Sequence, residues 1–326
     1  MMHGRLSRRD LVAATLGTTL AAAHGASAQG GYPDHPITLI VPFPPGGTSD
    51  NVARLVAQRL GAQMGQTWVV ENRPGAGATL GADLVARARP DGYTLLATTT
   101  AILTITPHVM AVPYDPFRSF TLLAMTAASN GVLAVHPSVP ARSVAELVAY
   151  ARAHPGELRF GSAGNGTITH LGGERFAQVA GIEIEHIPYR GSAQALTDLL
   201  AGRIQMIFDQ VAVQAVQEGR LVGLAVTGER RNPLLPDLPT LRETGYGAEG
   251  GVSWFGLLGP AGLPGPIAAR LKREIEAAVA APEVRDTMVR MGLEPHFETG
   301  EVLRARIRAD HEAFGAVVRR AQVKVD

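Results

Sequence analysis

Short apolar runs alternate with amphipathic helical stretches along most of this chain, and the alternation sets its fold class. Ile37-Thr38-Leu39-Ile40-Val41 is apolar at almost every position, the pattern of a strand buried on both faces. Residues 42–47 are rich in proline and glycine, so the chain turns there. From about Ser49, residues Val52, Leu55, Val56 and Leu60 recur at helical spacing, and Gly65 stands where that helix would stop. Further strands are predicted over residues 67–70, 93–97, 122–125 and 132–135. A second set follows Pro137. It has a helix over 143–153 with Val144, Leu147, Val148 and Ala151 inward, strands at 159–161, 186–189, 204–208 and 221–227, and helices over 171–180 and 193–200. Residues 232–240 are proline-rich and irregular. A strand at 254–258 and helical patterns over 267–280, 283–291 and 301–321 close the chain. The strand–helix–strand rhythm predicts an α/β fold with parallel layers, and 326 residues suffice for two lobes with cores of their own.

Composition narrows the function classes. The formal net charge is +1, but the first 28 residues hold Arg5, Arg8, Arg9 and Asp10, so the remainder carries −1. A chain this close to neutral has no electrostatic footprint for nucleic acid or an anionic membrane surface. There is no cysteine, which excludes disulfides, thiolate nucleophiles and cysteine–zinc sites. Residues 5–9 form a basic segment, residues 11–23 an apolar one, and Ala26-Ser27-Ala28 a cleavage pattern, together predicting a signal peptide over residues 1–28 and a periplasmic protein. Arg8-Arg9 also resembles a twin-arginine signal.

Two loops hold the candidate chemistry. The first is Pro42-Phe43-Pro44-Pro45-Gly46-Gly47-Thr48-Ser49-Asp50. The second is Gly161-Ser162-Ala163-Gly164-Asn165-Gly166-Thr167-Ile168-Thr169-His170. Each follows a predicted strand and opens a predicted helix. A helix N-terminus offers unpaired N–H groups and a partial positive charge, which suits a carboxylate. Glycines let the backbone approach closely, and serine and threonine add hydroxyl donors. His170 is either a donor to the anion or a structural hydrogen-bond partner. Thr98, Thr99 and Thr100 either line the floor between the loops or form an ordinary polar strand exit. Asp209, after the apolar run ending at Phe208, either caps a helix starting near Val211 or accepts hydrogen bonds from a ligand.

Enzyme signatures fail on inspection. The third glycine of Gly75-Ala76-Gly77-Ala78-Thr79-Leu80-Gly81 falls one place late for a dinucleotide fingerprint. Ser162 lacks the preceding glycine of a nucleophile elbow, and His311-Glu312 lacks the second histidine of a zinc protease motif. No cofactor or metal is expected. A secreted hydrolase using Ser162 with His170 is the rival class, without a motif for the third group it needs.

The chain resembles the substrate-binding proteins of tripartite tricarboxylate transporters, the Bug family. The resemblance rests on Ile40-Val41-Pro42-Phe43-Pro44-Pro45-Gly46-Gly47, Val70-Glu71-Asn72-Arg73-Pro74-Gly75, Pro90-Asp91-Gly92-Tyr93, the Gly161-to-Leu171 segment, Pro188-Tyr189-Arg190-Gly191 and Leu235-Pro236-Asp237-Leu238-Pro239, in that order. It implies a two-lobed periplasmic binding protein (Venus flytrap) fold with crossover strands at the hinge. It implies no catalysis, but capture of a small organic carboxylate by a monomer that serves two integral-membrane transporter subunits. A ligand sensor for a signalling partner would share this fold. The lobes are expected at 31–130 plus 253–326 and at 131–252. Phe43, Gly46, Gly47, Thr48, Ser49 and Asp50 are expected to face Ser162, Gly164, Asn165, Gly166, Thr167 and His170 across the cleft.

Overall fold

The computed structural model describes residues 31–321 except 229 and 248–252. The expected signal peptide, residues 1–28, lies outside the described residues. In chain order come β1 (Ile37–Val41), α1 (Thr48–Met64), β2 (Trp68–Asn72), α2 (Thr79–Ala86), β3 (Thr94–Thr99), α3 (Thr100–Thr104), α4 (Thr106–Val109) and β4 (Phe120–Ser129). Next are β5 (Val132–Val135), α5 (Val144–Ala153), β6 (Arg159–Ser162), α6 (Ile168–Ala180), β7 (Glu185–Pro188), α7 (Ser192–Leu200), β8 (Met206–Asp209), α8 (Val213–Gln217) and β9 (Val222–Val226). The chain ends with β10 (Trp254–Pro260), α9 (Gly265–Ala280), α10 (Pro282–Arg290), β11 (Leu293–Glu298) and α11 (Gly300–Ala321).

The strands form two sheets, in the orders β11-β4-β10-β3-β1-β2 and β7-β6-β8-β5-β9. Both are mixed, which corrects the expectation of parallel layers. β1 pairs in parallel with β2 and β3, and β6 with β7 and β8. β10, however, runs antiparallel to β3 and β4, and β5 antiparallel to β8 and β9. The cause is the double crossing. The chain leaves the first sheet at the end of β4, enters the second as β5, and returns as β10 beside the strand it left. The Ser129 N–H donates to the Ser253 carbonyl (2.6 Å), tying the outgoing crossing to the returning one.

Strand alternation builds the second core on both faces of its sheet. Leu133, Val135, Met206 and Phe208 point to one face, where they bury with Leu147, Phe160 and Phe176. Val132, Ala134 and Ile207 point to the other, against Leu199, Ile204 and Val213. Each such large apolar side chain contributes ~1.5–3 kcal/mol on burial. In the first sheet Ile40, Leu96, Met125 and Leu258 pack with Val85, Ile102, Leu303 and Ile307. A smaller cluster joins the two halves: Ala101, Ile105 and Val109 bury against Leu171 of α6 and Phe314 and Val318 of α11. β11 was not expected from sequence. It contains Pro295 at a register shift and lies at the sheet edge, where a missing N–H does no harm.

Candidate functional site

Each glycine-rich loop sits at the carboxyl end of a strand and feeds a helix, and the two meet in the cleft between the sheets. The first joins β1 to α1. Gly47 precedes α1 in extended backbone and no side chain caps the helix, so its first N–H groups are open to an outside acceptor. Asp50 fixes this loop from behind. One of its oxygens accepts from the Gly46 N–H (3.0 Å) and Arg54 Nε (2.9 Å), the other from Asn72 Nδ2 (2.8 Å). Asn72 Nδ2 also donates to the Phe43 carbonyl (2.9 Å). Burial pushes the Asp50 carboxyl up, but the bonds from Arg54, Gly46 and Asn72 outweigh it and hold the group below the usual carboxylate value.

The second loop joins β6 to α6. Thr167 caps the helix, accepting from the His170 N–H, and donates to the Gly164 carbonyl (2.7 Å). Thr169 accepts from the Ala163 N–H (2.9 Å). Gly164 and Gly166 have φ of 132° and 71°, a region that disfavours any β-carbon. A β-carbon on Gly166 would also lie 2.6 Å from Val109 of α4, in the opposite half.

A third junction, from β7 to α7, completes the site. Gly191 and Ser192 sit at its turn, and the Ser192 hydroxyl donates to one oxygen of Asp209. The other Asp209 oxygen accepts from the Val211 N–H (3.1 Å), capping the short 3-10 helix Gln210–Ala212. Burial pushes the Asp209 carboxyl up, and its bonds from Ser192, Val211 and Gln210 oppose that rise. Asp209 thus serves as a cap while lining the cleft, and its oxygens already have donors.

These junctions enclose a cavity of about 50 Å³. At ~10–15 Å³ for each water it could hold, that is room for roughly four water-sized groups. Of the residues singled out in the sequence, Phe43, Gly47, Thr48, Ser49, Thr99, Thr167 and Asp209 line it. Thr169, Ser192 and Gln210 line it too, as do Ser253 and Phe255 from the returning crossing. The Gly191-Ser192 turn was legible as another strand–glycine–helix junction, but sequence reasoning gave it no role. Among the described residues no lysine, arginine or histidine lines this cavity. The Ser49 hydroxyl is buried there without a hydrogen-bond partner. A second, larger cavity of about 580 Å³ lies beside the crossings and shares Ile168, Thr169, Gln210 and Ser253 with the first.

Gly46, Asp50, Ser162, Gly164, Asn165, Gly166 and His170 do not line the smaller cavity. Several of them engage the loops' own backbone instead, as Asp50 does with Gly46. Ser162 is fully buried and its hydroxyl bonds to His186 (2.7 Å), not to His170. His170 Nδ1 accepts from the Gly166 N–H (3.1 Å). The serine–histidine pair of the rival hydrolase reading is therefore not formed. Among the described residues no group of three or more histidine, aspartate or glutamate side chains is placed to hold a metal.

Comparison with known proteins agrees with this geometry. The profile of the tripartite tricarboxylate transporter family receptor matches residues 52–322. Protein BugT of Bordetella pertussis is 33% identical over 298 residues, 90% of this chain and 91% of that protein. Among solved structures, R. palustris Rpa4515 with adipate is 34% identical with a TM-score of 0.85, covering 89% of this chain and 98% of that one. MatC (Rpa3494) from Rhodopseudomonas palustris with bound malate is 28% identical with a TM-score of 0.80, covering 88% and 100%. The two-lobed α/β fold is that of this group, and the chain belongs to the tripartite tricarboxylate transporter receptor family that includes the Bug proteins.

Proposed function

We propose that this protein captures a small organic carboxylate in the cleft and delivers it to a membrane-embedded transporter. The observation that carries the reading is the Ser49 hydroxyl, buried at the cavity wall with nothing to bond to. An unsatisfied buried polar group costs ~1–3 kcal/mol, and an acceptor placed in the cavity would remove that cost. The helix N-termini beside it supply backbone donors and partial positive charge. Adipate and malate, the molecules in the two related structures, are both carboxylates. A cavity of about 50 Å³ takes one carboxylate head, so the rest of the molecule extends past Ile168 and Gln210 into the larger space.

In this reading the lobes are 31–130 plus 253–326 and 131–252. The contacting loops are the residues already named, with Gly191 and Ser192 added. The chain is made with a signal peptide over residues 1–28, acts as a periplasmic monomer without cofactor, and serves two integral-membrane subunits. It catalyses nothing. The test is a melting screen across mono-, di- and tricarboxylates and their uncharged amides. A ligand at 100 times its dissociation constant adds ~2.7 kcal/mol of stability, which raises the melting temperature by several degrees. A shift with an uncharged solute, and none with any acid, sinks the proposal.

A further inference from the structure

Behind the second loop lies a pair of imidazoles that do not line the small cavity. His170 of α6 and His186 of β7 stack with ring centroids 3.8 Å apart and planes 11° from parallel. Phe160 of β6 stacks on His186 at 4.8 Å. Each imidazole supports a different glycine of the loop. His170 Nδ1 accepts from the Gly166 N–H (3.1 Å). His186 Nε2 bonds to the Ser162 hydroxyl (2.7 Å), and that hydroxyl accepts from the Gly164 N–H (3.1 Å).

The His170 bond requires a neutral ring. A backbone N–H can only donate, so His170 Nδ1 must be without a proton while it holds Gly166. A cation on His186 would sit against the His170 ring in a largely buried space, with Phe160 in place of water. The charged groups around the pair do not remove this constraint. Glu174, one turn along α6, lies 3.7 Å from His170 Nε2 and favours a proton on the pair. Arg159 and Glu185, on β6 and β7, bond to each other at 3.0 Å. Strand alternation puts them on the face opposite Phe160 and His186. Burial, then the neighbouring His170, push His186 down to about 4 despite Glu174.

We propose that His170 and His186 form a proton-sensitive brace that positions the second loop, so that acidification loosens the loop and weakens carboxylate binding. The binding half of this statement rests on the function proposed above; the brace itself does not. Both are positioning residues that act through Gly164 and Gly166. Loosening the loop withdraws the cap of α6 and the second wall of the cavity together.

The test follows the Gly164 and Gly166 amide resonances and the imidazole resonances of the full chain by NMR, from about pH 7.5 to about pH 3, so that the range includes the fall of His186 through about 4. Calorimetry with malate and with adipate covers the same range. Both glycine resonances are expected to move in step with the imidazoles. Affinity should be about tenfold or more weaker at the acid end. His186→Gln offers Ser162 an amide in place of the ring nitrogen and does not titrate. It should keep neutral-pH affinity closer to wild type than His186→Phe, and show a flatter pH profile than wild type. Protonation of the acid itself is common to all variants and cancels in that comparison. Glycine resonances that stay fixed while the imidazoles titrate overturn the brace. So does a pH dependence that persists unchanged in His186→Gln. If neither acid binds at neutral pH, the carboxylate reading fails, and the glycine resonances still judge the brace.

Discussion

The two loops that wall the cleft do the same job with opposite chemistry. The first is held by a charged network in which Asp50 is anionic and bonded to Arg54, Asn72 and the Gly46 N–H. The second is held by neutral groups: Thr167, Thr169, Ser162 and the stacked His170 and His186. Both line the cavity. They differ in what disturbs them. A carboxylate held below its usual pKa keeps its charge at any ordinary pH, whereas burial keeps the His186 imidazole neutral only down to about 4. The lesson is that similar local grammar, a strand followed by glycines and a helix, does not imply similar support.

The largest effect should come from geometry. Gly166→Val places a β-branched residue at φ 71°, with its β-carbon 2.6 Å from Val109 of the other half. Backbone strain there costs ~1–3 kcal/mol, and the clash arises only where the two halves meet. Affinity should fall by more than about 100-fold while the circular dichroism spectrum stays native. Gly46→Ala is the counterpart in the first loop. Its β-carbon meets nothing nearer than Ala193 at 4.0 Å, so it bears strain alone. Equal losses for the two variants would remove Val109 from the explanation.

Ser49→Ala comes next. It deletes a buried hydroxyl without a partner, so stability should hold or rise slightly. A hydrogen bond to a charged group contributes ~1.5–3 kcal/mol, so affinity should drop by roughly 10- to 150-fold. Calorimetry showing unchanged affinity would place the anion elsewhere in the cleft.

Stability against acid separates the loops more finely. His186 has a folded value of about 4 against an ordinary 6.5, so the unfolded chain binds the extra proton between those values. Its contribution is complete above about pH 6.5 and is lost as pH falls through about 4. Asp50 lies below its ordinary 3.8, so its contribution is present above that value and lost only in stronger acid. The melting temperature should therefore decline from about pH 6.5 downward in wild type and less steeply in His186→Gln. Parallel curves would mean that His186 carries none of the acid limb.

The smallest effect is expected at Asp209. Its oxygens are taken by Ser192 and Val211, so Asp209→Asn keeps a cap and loses a charge beside the cavity. Dicarboxylate affinity should change by no more than about threefold, and in the direction of tighter binding. A large loss would instead make Asp209 an acceptor for the ligand.

Much of this was legible in the sequence because burial on both faces leaves an unmistakable run, as in Ile37–Val41, and because Gly65 marks a helix end in the left-handed region it then occupies. β11 escaped because Glu294, Pro295 and His296 interrupt any alternation, and pairing with β4 alone makes it a strand. The loops were found through their glycines, yet the sequence did not say which of their residues turn inward. Ser49 lines the cavity while its neighbour Asp50 holds the loop from behind. His186 carried no local signal at all. Its stacking on His170 exists only because β7 lies beside β6 and brings it under the first turn of α6.

The chemistry of the cavity wall bears on how a bound carboxylate would be let go. Among the described residues it offers hydroxyls and helix ends but no basic side chain. A full countercharge attracts over a long range, as the inverse of distance, and keeps its hold while a gap opens. The partial charge of a helix end fades within about one turn. Parting the halves by a few ångströms would therefore dissolve most of the attraction that this wall exerts. Dissolved salt, which screens charges across solvent, has little purchase on dipoles sealed inside a closed cleft. Such a wall grips only while it is shut, which suits the capture and delivery proposed above.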